Sequence, residues 1–327
     1  MVEDNLIEKL QQRFERSLKA CPFTGEPEGL YAPIDYVLSV GGKRVRPVLC
    51  LLACRLYGGD ESVALKAAMG LEVFHNFTLL HDDIMDRAET RRGQETVHVK
   101  WNDNTAILSG DAMLIKSYQL MASVPEASSA RVNEIFSKTA LEVCEGQQYD
   151  MDFEGREQVS TDEYLKMIKL KTAVLLAASL QIGALLGGAN SFNQDKLYDF
   201  GIQLGLAFQL RDDLLDAFGD PGLFGKKIGG DILCGKRSYL RIMAEQLADE
   251  ATKAELDEAF SMPASKGAQK IRRVLDIYKR LDIQKVTEEA IEKRFEQSIS
   301  LLDSLDLDPE QKDVLTTLAH DLMGRQR

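Results

Sequence analysis

Proline is missing from two long stretches of this 327-residue chain, and these gaps constrain its fold more than any other feature. None of the eight prolines lies between Pro47 and Pro125 or between Pro125 and Pro221. Such intervals favour long helices, because proline breaks helix interiors. No segment shows the sustained period-two alternation with β-branched residues that is typical of strands. The sequence therefore predicts an all-α fold and, since no shift in composition marks a boundary, a single domain over residues 1–327.

Apolar residues at helical spacing predict where the helices lie. The expected helices cover residues 5–18, 34–40, 47–57, 61–86, 109–124, 130–145, 162–188 and 200–210, with a last one that begins at a cap at Asp308 followed by Pro309. Residue Thr161 is the expected cap of the 162–188 helix. Two segments rich in proline or glycine, 21–33 and 219–238, are expected to be loops.

The charge and the cysteines of the chain restrict its partners and its compartment. The net charge is −12 at pH 7, which argues against nucleic acid and anionic membranes as general partners. The five cysteines show no CxxC spacing. We expect buried free thiols in a reducing, cytoplasmic compartment rather than a metal or disulfide framework. The acidic, mixed N-terminus is not a signal peptide.

One segment needs a membrane test. Residues 172–194 carry no charge, but the apolar part, 173–186, is too short to span a bilayer. We expect no transmembrane segment there, and instead a helix that is buried in a large core or in a subunit interface.

An acidic cluster stands at the end of the predicted 61–86 helix. Asp82, Asp83 and Asp86 form a DDxxD motif. Asp82 and Asp86 are one helical turn apart on one face. Carboxylates at a helix C-terminus oppose the helix dipole, which favours a bound cation. The spacing suits Mg²⁺, which takes one or two carboxylates with phosphate oxygens and water, and it does not match an EF-hand.

Two basic clusters are candidates for binding phosphate. Lys43, Arg44 and Arg46 follow two glycines and lead into a predicted helix. A basic loop at a helix N-terminus suits an anion, and a solvated charged turn is the alternative. The paired Arg91 and Arg92 can hold phosphate in bidentate fashion, or they can pair with nearby glutamates at the surface.

The acidic motif recurs 130 residues later, as Asp212, Asp213 and Asp216. A single DDxxD can be a solvated acidic face, but two that both follow apolar helices indicate a shared role. Six carboxylates match the charge of three Mg²⁺ ions. The loop at 219–238 contains Lys226 and Lys236 and happens to read GxxxxGK. It is not a P-loop, since no strand precedes it and an arginine replaces the Ser or Thr. A basic flap that closes over phosphates fits better.

With two DDxxD motifs and a GGKRxRP loop, the sequence resembles the trans-isoprenyl diphosphate synthases, or polyprenyl synthetases, over nearly its whole length. The resemblance implies an isoprenoid-synthase-type helical bundle around a deep central cavity, usually as a homodimer. It implies Mg²⁺ ligands at Asp82, Asp86 and Asp212. It implies that isopentenyl diphosphate contacts Lys43, Arg46, His75 and Arg92. It implies that the allylic diphosphate contacts Arg91, Lys171, Thr172, Gln209, Lys226 and Lys236.

The catalytic set that the resemblance implies comprises both acidic motifs with Lys171, Thr172 and Gln209. Two assignments have a plain structural alternative. A lone histidine on an apolar helix, such as His75, is usually a hydrogen-bonded core residue. Lys171 stands at the border of an apolar segment, where a lysine can simply extend its amine to water.

The implied reaction is a Mg²⁺-dependent, head-to-tail condensation of isopentenyl diphosphate with dimethylallyl, geranyl or farnesyl diphosphate. Large side chains just before the first motif limit product length in the family. Phe77 is large and Thr78 is small, which predicts a short all-trans product, C20 before C15. Two alternatives remain. A class I terpene cyclase shares one DDxxD but not the second one or the basic loop. A non-catalytic subunit of a prenyl synthase complex tends to lose the acidic motifs.

Overall fold

The computed structural model describes residues 4–219 and 228–324. The first elements are α1 (Asp4–Lys19), α2 (Glu28–Ser39), α3 (Val45–Leu56), α4 (Glu61–Met85), β1 (Thr90–Arg91), β2 (Gln94–Glu95), α5 (Val97–Lys100), α6 (Asp103–Ala122) and α7 (Glu126–Glu154). They are followed by α8 (Thr161–Ile168), a π-helix (Lys169–Ala173), α9 (Val174–Gly187), α10 (Ser191–Phe218), α11 (Gly230–Cys234), α12 (Tyr239–Leu247), α13 (Glu250–Phe260), a 3₁₀ turn (Ala264–Lys266), α14 (Gly267–Arg280), α15 (Ile283–Leu302) and α16 (Pro309–Gly324). The structure is 80% helical, which confirms the all-α prediction.

Helix caps account for several of the observed boundaries. The Asp60 side chain accepts a hydrogen bond from Ser62 N at 2.9 Å and starts α4. Before α16, Gln311 N donates to Asp308 Oδ1 at 2.8 Å, as the sequence predicts. The cap of α8 is Ser160 rather than Thr161, in a reciprocal capping box.

Several boundaries differ from the sequence prediction. Helix α6 begins at Asp103 instead of 109, α7 covers Glu126–Glu154 instead of 130–145, and α10 begins at Ser191 instead of 200. Helix α2 begins within the predicted 21–33 loop and contains Pro33. Proline removes one backbone donor, and burial of Pro33, Ile34 and Leu38 against the core offsets that loss. Helix α10 continues through the second acidic motif to Phe218, because its middle carboxylate is hydrogen-bonded within the protein. The short helix α11 lies inside the predicted 219–238 loop.

Contacts divide the chain into two compact units, and the first comprises Met1–Lys138 and Ala178–Leu197. Within it, α4 packs along α6 and α3. Two glycines of α9 bring that helix close to α3. A Cβ at Gly183 would lie 2.1 Å from Cys50 O, and one at Gly187 would lie 2.4 Å from Cys54 O. Only glycine allows the two backbones to approach this closely.

The second unit comprises Thr139–Ala177 and Tyr198–Arg327. Within it, α10 packs on small residues of the preceding helical segment. A Cβ at Gly201 would lie 2.5 Å from Ala177 Cα, and one at Gly205 would lie 2.7 Å from Ala173 Cα. Helix α12 packs against α15, and α13 packs against α14. A single domain over residues 1–327 stays a prediction.

The uncharged segment is a core helix. Within the described residues, Thr161–Gly187 is the one helical stretch that is long and apolar enough to cross a membrane, and 72% of its apolar window is buried inside the protein. Buried apolar helices of this kind are common in large cores. The observation agrees with the expected core helix.

The cysteines are free, as predicted, but not all are buried. Cys50 and Cys54 are buried, and burial raises the pKa of the Cys54 thiol to about 11. Cys144 and Cys234 are exposed, and Cys21 is half-buried. The prediction of burial is therefore wrong for these three, because each lies on a helix or turn position that faces solvent.

Candidate active site

The first acidic motif closes α4, and its three carboxylates have different surroundings. Asp83 is buried, and its Oδ1 accepts a hydrogen bond from Arg91 Nε at 2.7 Å. Burial raises the pKa of Asp83 in spite of the Arg91 charge. Asp82 is partly exposed and lies 3.3 Å from Arg91 Nη2, and Asp86 at the helix cap is exposed. Asp83 is therefore the most buried of the three carboxylates, while Asp82 and Asp86 are more accessible to solvent.

Arg91 and Arg92 lie on a tight hairpin rather than in an irregular loop. Strands β1 and β2 pair antiparallel. Arg92 and Gly93 have φ of 54° and 74°, which is the geometry of a two-residue hairpin turn. Arg92 Nη1 donates to Gly41 O. The hairpin thus places Arg91 beside the acidic motif and Arg92 beside the glycine-rich loop, so the surface pairing with glutamates is wrong for Arg91.

Arg44 holds the basic loop to the fold. It is buried and has a left-handed φ of 49°. Its Nε donates to Glu15 Oε1 at 2.7 Å, its Nη1 to Glu72 Oε1 at 2.6 Å, and its Nη2 to Leu38 O at 2.7 Å. Burial lowers the pKa of Arg44, but the charges and hydrogen bonds of Glu72 and Glu15 raise it on balance. Charge-assisted bonds of this kind are strong, and the sequence resemblance gave Arg44 no role.

Arg46, unlike Arg44, has a guanidinium nitrogen that the protein does not bond. Its Nε is buried and has no hydrogen-bond partner, and burial lowers the pKa of Arg46 to about 10. The nearby Lys43 is exposed. A buried donor without a protein partner needs an explanation, and a bound anion supplies one. The solvated-turn alternative therefore fails for Arg44 and Arg46.

His75 on α4 lies close to this cationic cluster. Desolvation, followed by the positive charges of four arginines, lowers the pKa of His75 well below 6.5; those arginines are Arg46, Arg92, Arg91 and Arg44. The ring is therefore neutral at physiological pH. A neutral imidazole can still donate a hydrogen bond from one ring nitrogen, so His75 suits an anion without adding charge.

The second acidic motif is organised around its middle carboxylate. Asp213 is buried and accepts hydrogen bonds from Tyr164 OH, from Gln209 Nε2 at 3.1 Å and from Tyr239 N at 3.3 Å. Burial, with the charge of Asp231, raises the pKa of Asp213 to about 8. Asp213 therefore positions neighbouring side chains, as Asp83 does in the first motif.

The outer carboxylates of the second motif face different partners. Asp212 is half-buried on α10. Asp216 Oδ2 accepts a hydrogen bond from Asp231 N at 3.0 Å and so holds the start of α11. Lys236 N donates to Asp231 O at 2.9 Å just after that helix. Lys226, predicted for the allylic site, lies outside the described residues.

Lys171 and Thr172 lie in the π-helix, a rare element that is frequent at functional sites. Lys171 Nζ is 2.6 Å from Asp150 Oδ2 on α7. Thr172 Oγ1 donates to Gln209 Oε1 at 3.1 Å. A Cβ at Gly146 would lie 2.3 Å from Lys171 N, so only glycine lets α7 pack this closely. The alternative in which Lys171 merely extends to water is wrong, because its amine is paired.

The two residues proposed to limit product length lie one turn before the first motif. Phe77 is buried, and its ring contacts those of Phe74 and His81, with centroid distances of 5.6 Å and 4.8 Å. Thr78 Oγ1 donates to His75 O at 2.8 Å. Phe77 is thus a fixed aromatic surface on α4.

The donor set near the motifs fits Mg²⁺ that shares its coordination with substrate. No three His, Cys, Asp or Glu side chains of residues 4–219 and 228–324 form a group that could hold a metal ion alone. The carboxylates of the half-buried Asp82 and the exposed Asp86 are hard ligands one helical turn apart. Mg²⁺ commonly takes one or two carboxylates and completes its shell with phosphate oxygens and water.

Comparison with known proteins decides the family. A family model described as polyprenyl synthetase matches residues 27–278. The chain belongs to the polyprenyl synthetase family. The geranylgeranyl diphosphate synthase of Methanosarcina mazei is 44% identical over 221 residues, 67% of this chain and 68% of that protein. The geranylfarnesyl diphosphate synthase of Natronomonas pharaonis is 37% identical over 260 residues, 72% of this chain and 76% of that protein.

Solved structures agree with this family assignment. A crystal structure of a geranylgeranyl pyrophosphate synthase superposes with a TM-score of 0.94 at 46% identity and covers 98% of this chain and 99% of that one. The isoprenoid-synthase fold is therefore confirmed. The enzyme prediction is confirmed as well, since this polyprenyl synthetase is a prenyltransferase of the geranylgeranyl or farnesyl diphosphate synthase type.

Sequence reasoning missed three residues that organise these sites: Gly146, Asp150 and Tyr164. It included Arg44 among the candidate phosphate-binding residues, but Arg44 is bonded to Glu15, Glu72 and Leu38 O within the protein. Asp150 and Tyr164 contact partners 21 and 49 residues away, so no local pattern identifies them. Gly146 is a weak signal, because glycine inside a helical pattern often marks a close approach of backbones.

Proposed function

We propose that this polyprenyl synthetase joins isopentenyl diphosphate head-to-tail to an allylic diphosphate in a Mg²⁺-dependent reaction, with a C20 all-trans product favoured over C15. The observation that carries the proposal is the buried, unpartnered Nε of Arg46 beside a neutral His75. It supports an anion site next to the first acidic motif. The names of the relatives support a diphosphate as that anion.

On the isopentenyl side we assign four residues to the diphosphate: Lys43, Arg46, His75 and Arg92. Arg46 gains the acceptor that its Nε lacks in the protein. His75 donates without bringing a further positive charge. Arg92 reaches the same loop through its bond to Gly41 O. These contacts hold the substrate while its double bond reacts, and they contribute mainly through orientation.

On the allylic side we assign Asp82, Asp86 and Asp212 to Mg²⁺, and we assign Arg91, Lys171, Lys226 and Lys236 to the diphosphate. We propose three Mg²⁺ ions, held by the outer carboxylates of the two motifs together with diphosphate oxygens and water. When bound, Mg²⁺ draws charge from the leaving diphosphate as a Lewis acid. Lys171 is already oriented by Asp150.

The reaction breaks one C–O bond and forms one C–C bond. The allylic C–O bond breaks, and the electron pair leaves with the diphosphate. The double bond of isopentenyl diphosphate then forms the new C–C bond, and the proton that is lost goes to the released diphosphate. Thr172 and Gln209, which bond to each other at 3.1 Å, direct dipoles at the allylic cation. Their fixed geometry costs no reorganisation during the reaction.

Product length follows from the residue that ends the chain pocket. We assign that role to Phe77, whose ring is buried and fixed on both sides. Thr78 is small and its hydroxyl is bonded to the backbone of its own helix, so it leaves room for the growing chain. A C20 product is therefore favoured.

We further propose a homodimer formed through an exposed apolar face of α6. Ile107, Leu108 and Ile115 are 44%, 60% and 59% exposed, and large apolar side chains exposed together on one helix are candidates for an interaction site. Leu108→Lys combined with Ile115→Lys should give a monomer in analytical ultracentrifugation. A dimer that survives both changes would contradict this interface. The free thiols support a cytoplasmic location.

The experiment that tests the function is a product assay with purified protein, Mg²⁺, isopentenyl diphosphate and each allylic primer in turn. We expect C20 as the main product, no turnover in EDTA, and recovery when Mg²⁺ is restored. Asp86→Ala should lose most of the rate. Glu89→Ala, which removes an exposed carboxylate three residues away, should stay within about twofold of the parent. Ionisation of the primer without consumption of isopentenyl diphosphate would refute the proposal.

A further inference from the structure

Gly110 of α6 leaves the space that the His81 ring occupies. A Cβ at Gly110 would lie 2.2 Å from His81 Nε2 and 2.6 Å from His81 Cδ2, well inside contact distance. Gly110 is buried in the middle of a helix, where glycine costs about 0.5–1 kcal/mol relative to alanine. Its backbone does not have positive φ. The glycine is therefore explained by the imidazole beside it and not by backbone conformation.

The His81 ring has two fixed contacts in this space. Its Nε2 lies 3.2 Å from Ile107 O, a distance at which the ring N–H donates to the carbonyl. The ring also meets Phe77 edge to face, at a centroid distance of 4.8 Å and an interplanar angle of 67°. Edge-to-face pairs of this kind are favourable and directional. A side chain at position 110 would displace the ring from both contacts.

Phe77 is supported on its other side by a row of aromatic rings. Phe74 lies 5.6 Å from Phe77 and 5.2 Å from Phe136 between centroids, and Tyr118 lies 4.9 Å from Phe136. Phe74 and Phe136 are fully buried. The His81 ring is thus the contact of Phe77 on the side nearer the acidic motif.

We propose that Gly110 and His81 are specificity-determining positioning residues, which set product length by holding the Phe77 ring in place. The inference rests on the proposed function, in which Phe77 ends the chain pocket. When the imidazole is displaced, Phe77 keeps its ring contact with Phe74 but loses the one with His81. The Phe77 ring can then move and admit a longer prenyl chain. The chemistry of condensation should not change, because neither residue is among those that we assign to the diphosphates or to Mg²⁺.

The test compares products of five variants with those of the parent: Gly110→Ala, His81→Ala, the double variant, Phe77→Ala and Gly70→Ala. Gly70 is the matched control. It closes the same α4–α6 contact, where a Cβ would lie 3.0 Å from Met121 Cε and 3.2 Å from Ser117 O, but it does not meet His81. His81→Ala needs no new space, so it carries the test if Gly110→Ala fails to fold.

We expect the ratio of products longer than C20 to the C20 product to rise by about tenfold in each of three variants, Phe77→Ala, Gly110→Ala and His81→Ala. This is the discrimination that one methylene-sized change gives in an apolar pocket. The double variant should not exceed the larger single effect, because both changes remove the same support. Gly70→Ala should leave the ratio unchanged.

Unchanged products in Gly110→Ala and His81→Ala, with longer products in Phe77→Ala, would overturn the inference and leave the proposed function intact. An equal shift in Gly70→Ala would also overturn it, since loosening of the helix pair would then be the cause. Unchanged products in Phe77→Ala would refute Phe77 as the end of the pocket and the inference with it. A parent protein without condensation activity would refute the proposed function itself.

Discussion

Arg44 and Arg46 are two residues apart in one basic motif. The structure indicates that Arg44 stabilises the fold and that Arg46 binds substrate, and a pair of variants tests this difference. Arg44→Met removes three hydrogen bonds of 2.6–2.7 Å and leaves Glu72 buried without its cation. Breaking a buried ion pair from one side costs about 3–5 kcal/mol. The unfolding entropy of about 2.1 cal/mol/K per residue, over 327 residues, is about 0.7 kcal/mol/K. The expected fall in Tm is therefore about 4–7 °C.

Arg46→Met should behave differently. Arg46 Nε has no hydrogen bond to lose, and burial already disfavours its charge, as its lowered pKa shows. The free energy of unfolding should change by less than about 1 kcal/mol. The KM for isopentenyl diphosphate should rise, because a charge-assisted bond to the substrate is lost.

The assay is thermal unfolding of the two variants in parallel, followed by initial rates at varied isopentenyl diphosphate. A third variant, Arg44→Met with Glu72→Met, should recover part of the lost stability, since it also removes the stranded carboxylate. Equal falls in Tm for Arg44→Met and Arg46→Met would refute the division of tasks. So would a fall below about 1 °C for Arg44→Met.

Three further predictions concern other parts of the sites. Asp150→Asn should raise the KM for the allylic primer with little change in Tm, because the 2.6 Å pair that orients Lys171 is weakened. A lower Tm with an unchanged KM in steady-state kinetics would contradict this. Gly146→Ala should cost about 1–3 kcal/mol in urea unfolding, because its Cβ meets backbone rather than a movable side chain. The folded-state pKa of His75 is lowered, so its contribution to stability is present above pH 6.5 and is lost as pH falls from there through the lowered folded-state pKa. His75→Gln should therefore lose less stability than the parent between pH 7 and pH 5, and parallel pH profiles of Tm would contradict this.

The sequence predicted the fold class and the ends of α4 well, because apolar spacing and a polar cap are local signals. It missed the continuation of α10, because the carboxylates of the second motif interrupt the apolar pattern while the backbone remains helical. The hydrogen bonds of Asp213 that support this continuation come from Tyr164 and Tyr239. These partners are distant in sequence, so the pattern around the motif contains no trace of them.

The resemblance assigned Arg46 and three outer acids to ligands, but the structural tasks of Arg44, Asp83 and Asp213 were not predicted. Nothing in the letters KRVR separates Arg44 from Arg46. The difference arises from the left-handed φ of Arg44, which accompanies its bonds to Glu15 and Glu72, 29 and 28 residues away. Likewise, burial and hydrogen bonds from distant residues distinguish the middle acids Asp83 and Asp213 from the outer ones.

The π-helix at Lys169–Ala173 acts as a phase shift between α8 and α9. A π turn contains an additional residue compared with an α turn, so deleting one residue there would restore continuous α-helix and rotate α8 by about 100° relative to α9. Tyr164 would then turn away from Asp213, although every motif in the chain would still be present. A relative with that deletion would pass any search for DDxxD and still lack the hydrogen-bonded support of its second motif.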